Sequence, residues 1–438
     1  MQEVLFRRFW WVPAFLLCGL TVFLGFSARQ DTFRPLLLGY GAFFLLCLWL
    51  FHSAKSEGDI RCWLRVSILL RCILLFAFPQ LSDDVYRFLW DGYLLSSGNN
   101  PYGMSPFEWL WAEGKPEGLG ISLYDQLNSR HYATVYPPFA QLSFALAVLA
   151  GGQSWYWSAF FLKLILLASE LLTLWLLPRL LGASGLPSKN VLLYALNPLV
   201  ILEGVGNLHY EVVVVAFVLL GVFLWYRNRH TLAALCMALA VAVKLLPLIF
   251  LPFWFRRADN GQLMRFYGIS GALLLLFFVP AIAGVHLTHP FGSLLLFFQN
   301  FEFNAGIFNL FKWIGIWITG YNPIKSVGAL FALQIFAGIL IGAWVQRDLS
   351  IRGLFRNMMF GLSLYLFLST TVHPWYLIPL LAFSTFTTFR YPLLWTGLAV
   401  LSYSHYMSVP FRAHYGLLAL EYLPVFALFA MELRRFRT

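Results

Sequence analysis

Two adjacent carboxylates, Asp83 and Asp84, stand where an apolar segment ends and a mixed segment, 82–92, begins. A carboxylate at such a dry boundary can act as a general base, because burial and a neighbouring like charge raise its affinity for a proton. Its oxygens can equally hold a divalent metal ion. The alternative is a solvated helix cap with an Asp84–Arg87 ion pair. Adjacent side chains diverge by about 100° on a helix, so we expect only one aspartate to face a substrate.

A second polar cluster follows a later apolar segment. Asn207, His209 and Glu211 offer donors and acceptors suited to hydroxyl groups. Glu203 lies within the apolar run itself, and an acid inside a membrane segment is by default a functional candidate. The alternative is a simple turn whose polar tips face water.

Lys244 interrupts another apolar stretch, 231–256, three residues before Pro247. A lysine inside such a stretch costs about 2.5–3.5 kcal/mol unless it reaches the interface or is paired. Two kinds of partner stay open, an anionic phosphate of a substrate and an acid of the protein, Glu203 or Glu211. Because proline removes a backbone donor, we expect two short helices that meet near Lys244.

A fourth candidate group is aromatic. His373 precedes Trp375 and Tyr376 at a predicted outer turn, and His405 and Arg412 lie near the next outer turn. Histidine beside tryptophan and tyrosine is also typical of the aromatic belt at a membrane interface. These residues remain candidates because they are predicted on the same face as the other three clusters.

The composition indicates what kind of fold positions these groups. Of 438 residues, 60% are hydrophobic and 11% are charged, and the mean hydropathy is +0.73. Soluble proteins are about 45–50% apolar and about 25% charged, so a water-soluble fold is excluded. The net charge of +11 fits a cationic cytoplasmic face, and we expect no nucleic-acid partner. The five cysteines lack metal-site spacing, so neither a zinc site nor a disulfide framework is expected.

An all-α polytopic membrane protein is therefore predicted, as a bundle of about 12–14 transmembrane helices. A span needs roughly 20 residues, and the candidates are 9–27, 35–52, 64–80, 155–178, 189–205, 211–226, 266–285, 326–346, 354–372, 375–389, 391–409 and 415–433. We expect the first helix to be retained rather than cleaved. If 231–256 turns back as a hairpin and 138–152 does not cross, most of the 30 Lys and Arg residues lie inside. The positive-inside rule then predicts that both termini are cytoplasmic.

Two long external loops stand out. Loop 81–137 carries the aspartate pair and is acidic, whereas the whole chain is basic; loop 286–325 is rich in aromatic residues. Loops this long in a compact membrane protein are usually functional. We see no internal repeat and no soluble domain, so we expect one integral membrane domain, 1–438. Loop 81–137, with amphipathic helices, would be its catalytic loop.

Taken in order, these segments resemble the GT-C superfamily of membrane glycosyltransferases, and more closely its bacterial members that use polyprenyl-phosphate mannose. The resemblance covers roughly 80–410 and rests on Asp83-Asp84-Val85-Tyr86-Arg87, Gly98-Asn99-Asn100-Pro101-Tyr102, Tyr136-Pro137-Pro138, Asn197-Pro198, Glu203 with Gly206-Asn207-Leu208-His209-Tyr210-Glu211, Lys244-Leu245-Leu246-Pro247 and His373-Pro374-Trp375-Tyr376. The aspartates are contiguous here, whereas some relatives have a separated Asp-x-Asp, which leaves the choice of base open. Spacing to Gly98 and Tyr102 favours Asp84. The first two spans lie before the aspartate motif, whereas many relatives have one.

The resemblance implies an inverting transfer of a hexose, mannose above all, on the extracytoplasmic face of the inner (plasma) membrane. The donor would be a polyprenyl-phosphate sugar and the acceptor a lipid-linked or envelope glycan. Asp84, or Asp83, would be the base, and Lys244 would neutralise the departing lipid phosphate. The other substrate-binding residues that the resemblance implies are Asn207, His209, Glu211, Glu203, His373, Tyr376, His405, Arg412 and Tyr102. No cofactor is certain, and a divalent metal stays open.

Two other classes of protein are alternatives to the polyprenyl-phosphate-dependent glycosyltransferase hypothesis. A transporter or lipid flippase would explain the intramembrane residues Lys163, Glu170 and Lys244, but it predicts inverted repeats. A ligase or polymerase that moves glycans from lipid pyrophosphate would place its long external loop late in the chain. Phosphate-loop, Gly-x-Ser-x-Gly and His-Glu-x-x-His motifs are absent from the sequence.

Overall fold

The computed structural model describes residues 10–283, 285, 292, 293, 301–408 and 411–437. Within these ranges the chain is helical, and its β structure is an isolated parallel bridge between Phe303 and Thr371. The α-helices are Trp11–Phe26 (α1), Phe33–Ser53 (α2), Glu57–Leu74 (α3), Asp84–Ser96 (α4), Pro106–Leu110 (α5), Ile121–Tyr124 (α6), Pro138–Gly151 (α7), Trp155–Ala183 (α8), Val191–Ala195 (α9), Glu211–Tyr226 (α10), His230–Val243 (α11), Asn260–Ile282 (α12), Gly306–Thr319 (α13), Ile324–Val345 (α14), Ile351–Leu368 (α15), Leu377–Ser384 (α16), Tyr391–Leu398 (α17) and Tyr415–Arg437 (α18). A π-helix spans Val200–Gly206, and 3₁₀ helices span Ser188–Asn190, Leu246–Trp254, Pro374–Tyr376 and Ala399–Met407.

Several of these helices can cross a bilayer. Within the described ranges, five are long and apolar enough: Phe33–Ser53, Trp155–Ala183, Asn260–Ile282, Ile324–Val345 and Tyr415–Phe436. A sixth span results if the π-helix and α10, bent by 102°, count as one. The predicted all-α polytopic membrane fold is confirmed. The number of about 12–14 spans stays a prediction, because several apolar segments are built from shorter helices.

Those segments are divided into shorter helices of different type. The predicted span 189–205 contains the end of a 3₁₀ helix, α9 and the π-helix, and the described part of 391–409 contains α17 and a 3₁₀ helix. The stretch 231–256 breaks as predicted: α11 ends at Val243, and the backbone of Lys244 is extended before the next 3₁₀ helix. Broken backbone is tolerated at membrane depth where surrounding protein satisfies its polar groups. Hydrophobic composition alone therefore overestimates the length of continuous helices in this bundle.

Close packing of α4 against α7 holds the aspartates in place. A Cβ added to Gly92 would lie 2.7 Å from the carbonyl oxygen of Phe144, so glycine permits the contact. Phe88, one turn earlier on α4, stacks on the Phe144 ring with centroids 4.5 Å apart. This contact anchors α4, whose first residue is Asp84.

Buried charges tie other helices together. Arg71 on α3 donates to Glu170 on α8 at 2.7 Å, and the Tyr194 hydroxyl donates to the same carboxylate at 2.5 Å. Lys163 on α8 donates to the carbonyl of Leu74, at the end of α3, at 2.8 Å. Buried charges are tolerated when they are paired and hydrogen-bonded. Two of the three intramembrane charges considered for a transport pathway, Lys163 and Glu170, are thus engaged in holding α3 and α8 together.

Candidate active site

Asn207 fixes the chain immediately before the aspartate pair. Its Oδ1 accepts the N–H groups of Gln80 and Leu81 at 3.1 and 3.0 Å, and its Nδ2 donates to the carbonyl of Leu202 at 2.9 Å. Asn207 follows the π-helix directly, so these bonds connect that helix to the approach to α4. The amide therefore positions the segment that carries Asp83, and its expected contact with substrate hydroxyls stays a prediction.

Asp84 is half-buried at the start of α4 and is held by polar side chains of loop 81–137. The Tyr136 hydroxyl donates to its Oδ2 at 3.2 Å, and Asn128 Nδ2 lies 3.5 Å from its Oδ1. Asp83 points to a different partner, because Gln30 Nε2 lies 3.3 and 3.4 Å from its two oxygens. The two carboxylates diverge, as the helical geometry predicts.

Arg87 is engaged away from the pair. Its Nε donates to Asp91 at 2.8 Å and its Nη1 to the carbonyl of Tyr132 at 2.9 Å. Asp83 makes no side-chain capping hydrogen bond within the described part of the chain. A solvated helix cap with an Asp84–Arg87 ion pair therefore does not account for these carboxylates.

Both aspartates lie in the connection after α3, outside the helices long enough to span a membrane. Burial raises the pKa of Asp84 above its ordinary value, whereas the charge of Lys244 and the Tyr136 hydroxyl act in the opposite direction. Burial also raises the pKa of Asp83, and its hydrogen bond from Gln30 opposes that rise. A raised pKa suits a general base, because an ionised carboxylate with a higher pKa accepts a proton more readily.

Lys244 stands at the helix break and forms an ion pair with Glu211. Its ammonium nitrogen also lies over the ring of Tyr376, 4.8 Å from the centroid, a cation–π contact. The Lys244 side chain keeps 25% of its surface exposed, whereas that of Glu211 keeps 1%. Pairing with a protein acid, one of the two alternatives left open, is thus observed, and part of the lysine side chain remains exposed.

The cluster around Glu203 is buried rather than exposed at a turn. Glu203, Asn207, His209 and Glu211 are each at most 4% exposed, so polar tips in water are excluded. The Tyr403 hydroxyl donates to Glu203 Oε1 at 2.5 Å. Glu203 Oε2 lies 3.2 Å from His209 Nε2. Glu203 of the π-helix thus points toward the interior of the helical bundle.

Five rings form a column beside Lys244. The Trp375 indole lies between His209 and His373, with centroids 3.6 and 4.5 Å away and the planes nearly parallel. Phe303 stacks on the far side of His373 at 4.5 Å and also contacts His405 at 4.9 Å. Phe303 belongs to loop 286–325, so its contacts with His373 and His405 hold the described part of that loop against the site. Residues 286–291 and 294–300 of that loop lie outside the described residues.

The remaining candidates differ in how close they come to the site. The Tyr102 hydroxyl donates to the carbonyl of Tyr136 at 2.7 Å, so Tyr102 supports the residue that holds Asp84. His405 Nδ1 lies 2.8 Å from the carbonyl of Ser402. Arg412 is exposed and shows no ion pair with a described residue. The structure thus brings Tyr102 and His405 to the site and leaves Arg412 at the surface.

Buried polar atoms of the site lack hydrogen-bond partners among the described residues. They are Glu211 Oε2 and His373 Nδ1, whereas Glu203 Oε2 and His209 Nε2 lie 3.2 Å from each other. An unsatisfied buried polar atom costs about 1–3 kcal/mol, so a group of them indicates a place for a polar ligand. Groups of three or more His, Cys, Asp or Glu side chains that could hold a metal ion are absent from the described ranges.

Sequence reasoning alone missed several of these contacts. Tyr136 belongs to the motif 136–138, yet nothing in that motif indicated a bond to Asp84. Gln30, Phe303 and Tyr403 carried no signal, because a single polar or aromatic residue near an apolar segment is common. Each meets its partner only through long-range packing.

Both a protein-family model and individual known proteins match this chain. A family model described as alpha-(1->6)-mannopyranosyltransferase, N-terminal domain, matches residues 17–257. The chain is 28% identical over 280 residues to alpha-(1->6)-mannopyranosyltransferase A of Mycobacterium tuberculosis, covering 60% of this chain and 50% of that protein. It is 26% identical over 182 residues to the Corynebacterium glutamicum protein of the same name, covering 41% and 35%. The chain thus spans half or less of these relatives, and the family match ends before His373.

Proposed function

Because the chain belongs to the alpha-(1->6)-mannopyranosyltransferase family, we propose that it transfers mannose from a polyprenyl-phosphate donor to a glycan acceptor. The acceptor is a lipid-linked or cell-envelope glycan whose C6 hydroxyl receives the mannose, in keeping with the linkage in the family description. The observation that carries the proposal is Asp84, a half-buried carboxylate held by Tyr136 and acted on by the charge of Lys244.

In the proposed reaction, the acceptor oxygen forms a bond to C1 of mannose while the bond from C1 to the phosphate oxygen breaks. Asp84 takes the proton of the acceptor hydroxyl, and the polyprenyl phosphate leaves with the bonding electrons. The displacement inverts C1, so an α product requires a β-linked donor. The Tyr136 hydrogen bond orients the carboxylate so that its other oxygen can meet the acceptor. General-base help of this kind is worth about 10²–10⁴ in rate.

Lys244 is the proposed partner of the departing phosphate. Negative charge grows on that phosphate in the transition state, and a fixed cation in a water-poor site stabilises it. Glu211 and Tyr376 hold the ammonium from the protein side, while a quarter of the lysine side chain remains exposed. The ion pair thus holds the Lys244 ammonium in position and leaves it able to bind the departing phosphate.

Recognition of sugar hydroxyls is assigned to the unpartnered buried atoms. Glu211 Oε2 can accept a hydrogen bond from a sugar hydroxyl, and Glu203 Oε2, which lies 3.2 Å from His209 Nε2, has a further lone pair for another. His373 Nδ1 supplies a further acceptor or donor beside the ring column. His405 and Arg412 are retained as weaker helpers at the phosphate.

We further propose that the site opens on the extracytoplasmic side of the inner membrane and that both termini are cytoplasmic. The positive-inside rule supports this orientation. Reporter fusions after the predicted inner loops and after loop 81–137 would test it. Reporters active outside the cell at both the N- and C-terminal positions would contradict it.

Substitution of the aspartates tests the proposed base. Purified protein in proteoliposomes is given polyprenyl-phosphate mannose and extracted envelope glycolipids, and α-(1→6) transfer is measured. Asp84→Asn is expected to lose at least about 10²-fold in rate, whereas Asp83→Asn keeps most activity. Glu113→Gln, an exposed acid of the same loop, is the matched control. Full turnover in Asp84→Asn would refute the assignment.

The phosphate role of Lys244 needs a design that leaves no buried acid unpaired. The double variant Lys244→Met/Glu211→Gln removes both charges, and Glu211→Gln alone keeps the cation. We expect the double variant to raise the KM for the donor and lower kcat far more than Glu211→Gln. Equal kinetics in the two variants would show that Lys244 serves only to neutralise Glu211.

The main competing function is transport of a lipid or solute. Arg71, Glu170 and Lys163 are engaged in contacts between helices, which leaves few intramembrane charges for a pathway. Vesicle flux of the lipid-linked sugar without transfer to any acceptor would favour a transporter over the proposed enzyme.

A further inference from the structure

A basic groove lies at the far end of the bundle from Asp84. Its volume is about 650 Å³, and it is lined by Arg256, Trp344, Val345, Gln346, Arg347 and Leu349. It sits at the connection between α14 and α15. Helix α15 then runs 18 residues, about 27 Å at 1.5 Å per residue, before the chain reaches His373. The groove is therefore separate from the proposed active site.

The backbone and a hydrogen bond fix the arginine on one wall. Arg256 has φ +67°, a left-handed conformation that non-glycine residues seldom adopt. Its Nη1 donates to the carbonyl of Trp344 at 3.1 Å, and the Trp344 ring stacks on Phe255 with centroids 5.9 Å apart. The guanidinium is thus held beside the indole, with further N–H groups available for an anion.

The nearby acid and amide are already engaged. Asp348 pairs with Arg356 at 3.2 Å, and Gln346 accepts a hydrogen bond from Arg257 at 2.9 Å. Arg347 is exposed, and the groove lining includes no carboxylate among the described residues. The groove therefore has two cationic groups and no acid on its wall.

We propose that this groove binds the phosphate headgroup of an anionic phospholipid. It lies at the end of α14, a helix long and apolar enough to span a bilayer, so it meets the depth of lipid phosphates. Guanidinium groups bind phosphate through paired N–H bonds. The exposed apolar side chains of Trp344, Val345 and Leu349 lie beside them and suit the glycerol and upper acyl chain. Tryptophan is typical of this interfacial depth.

Lipid retention by the full-length protein tests the proposal. The purified protein is exchanged into nanodiscs that contain phosphatidylglycerol and phosphatidylcholine, and the lipids that stay bound are counted by native mass spectrometry. We expect the preference for phosphatidylglycerol to fall about fivefold in Arg256→Gln and in Arg347→Gln and about 30-fold in the double variant. Arg265→Gln, an exposed arginine of the neighbouring α12, is the matched control and should keep the preference.

Three outcomes would overturn the proposal. The first is an unchanged lipid preference in a double variant that remains monodisperse with the wild-type unfolding temperature. The second is an equal loss in Arg265→Gln, which would show only the general attraction of a basic surface. The third is displacement of the lipid by inorganic phosphate at equal concentration, which would identify a free anion site. Mannosyl transfer does not enter the readout, so failure here is distinct from failure of the proposed enzyme.

Discussion

Replacing Tyr136 with phenylalanine should shift the pH dependence of transfer. The substitution removes the hydroxyl that donates to Asp84 at 3.2 Å and little else. A hydrogen bond to a charged group is worth about 1.5–3 kcal/mol, and this bond is long, so we take the lower end. One pKa unit corresponds to about 1.36 kcal/mol, so the pKa of Asp84 should rise by about one unit.

The direction of the pH shift follows from the role of Asp84 as a base, because a base must be ionised to accept a proton. Burial already places the pKa of Asp84 above its ordinary value, so wild-type activity falls as the pH drops through that raised pKa. In Tyr136→Phe the acid limb of kcat/KM should lie about one pH unit higher. At low pH the variant should be about tenfold slower, with a much smaller deficit on the plateau.

The assay is initial-rate mannosyl transfer in proteoliposomes between pH 4 and 9, with vesicles equilibrated at each pH. Tyr93→Phe is the matched control, because Tyr93 on α4 donates its hydroxyl to the carbonyl of Gly152 at 3.0 Å and not to an aspartate. An unmoved acid limb in Tyr136→Phe, or the same shift in Tyr93→Phe, would refute the reasoning.

Two further predictions concern the frame of the site. Arg71→Met leaves Glu170 buried without its cation, so we expect the unfolding free energy to fall by about 3–5 kcal/mol, seen as a lower thermal unfolding temperature in detergent. Gly92→Ala places a methyl group 2.7 Å from the Phe144 carbonyl oxygen and pushes α4 from α7. We expect it to cost about 1–3 kcal/mol and to slow transfer, because α4 carries Asp84.

Each of these has a control on the same or a neighbouring helix. Arg65→Met removes an exposed arginine of α3 and should leave the unfolding temperature unchanged. Gly182→Ala adds a Cβ that meets no atom within 4 Å and should be tolerated. If either control were as harmful as its partner substitution, the packing argument for that pair would be wrong.

Much of the fold class was predictable from local information. A composition with 60% hydrophobic and 11% charged residues can only suit a membrane protein, and the family match agrees with the resemblance drawn from its ordered motifs. The break at Lys244 was predictable too, because Pro247 cannot continue a helix. The described part of segment 391–409 forms an α-helix followed by a 3₁₀ helix rather than one continuous α-helix, since composition records burial and not the length of a helix.

The candidate site, like the fold, was predictable from the sequence only in part. Residue types located Asp83, Asp84, Glu203 and Lys244, because charges near apolar segments are costly and therefore conspicuous. Sequence left open which acid pairs with Lys244, and the structure pairs it with Glu211.

Taken alone, the amino-acid sequence determined that this chain enters a membrane, that a helix breaks near Lys244 and which charged residues require an explanation. These are properties of short stretches, set by hydrophobicity, proline and charge. Only the tertiary structure decided that Tyr136 holds Asp84, that His209 and His373 enclose Trp375, and that Arg87 turns to Asp91. The contacts of Tyr136 with Asp84 and of His209 with Trp375 join residues far apart in the chain, and packing of whole helices, not local pattern, brings them together.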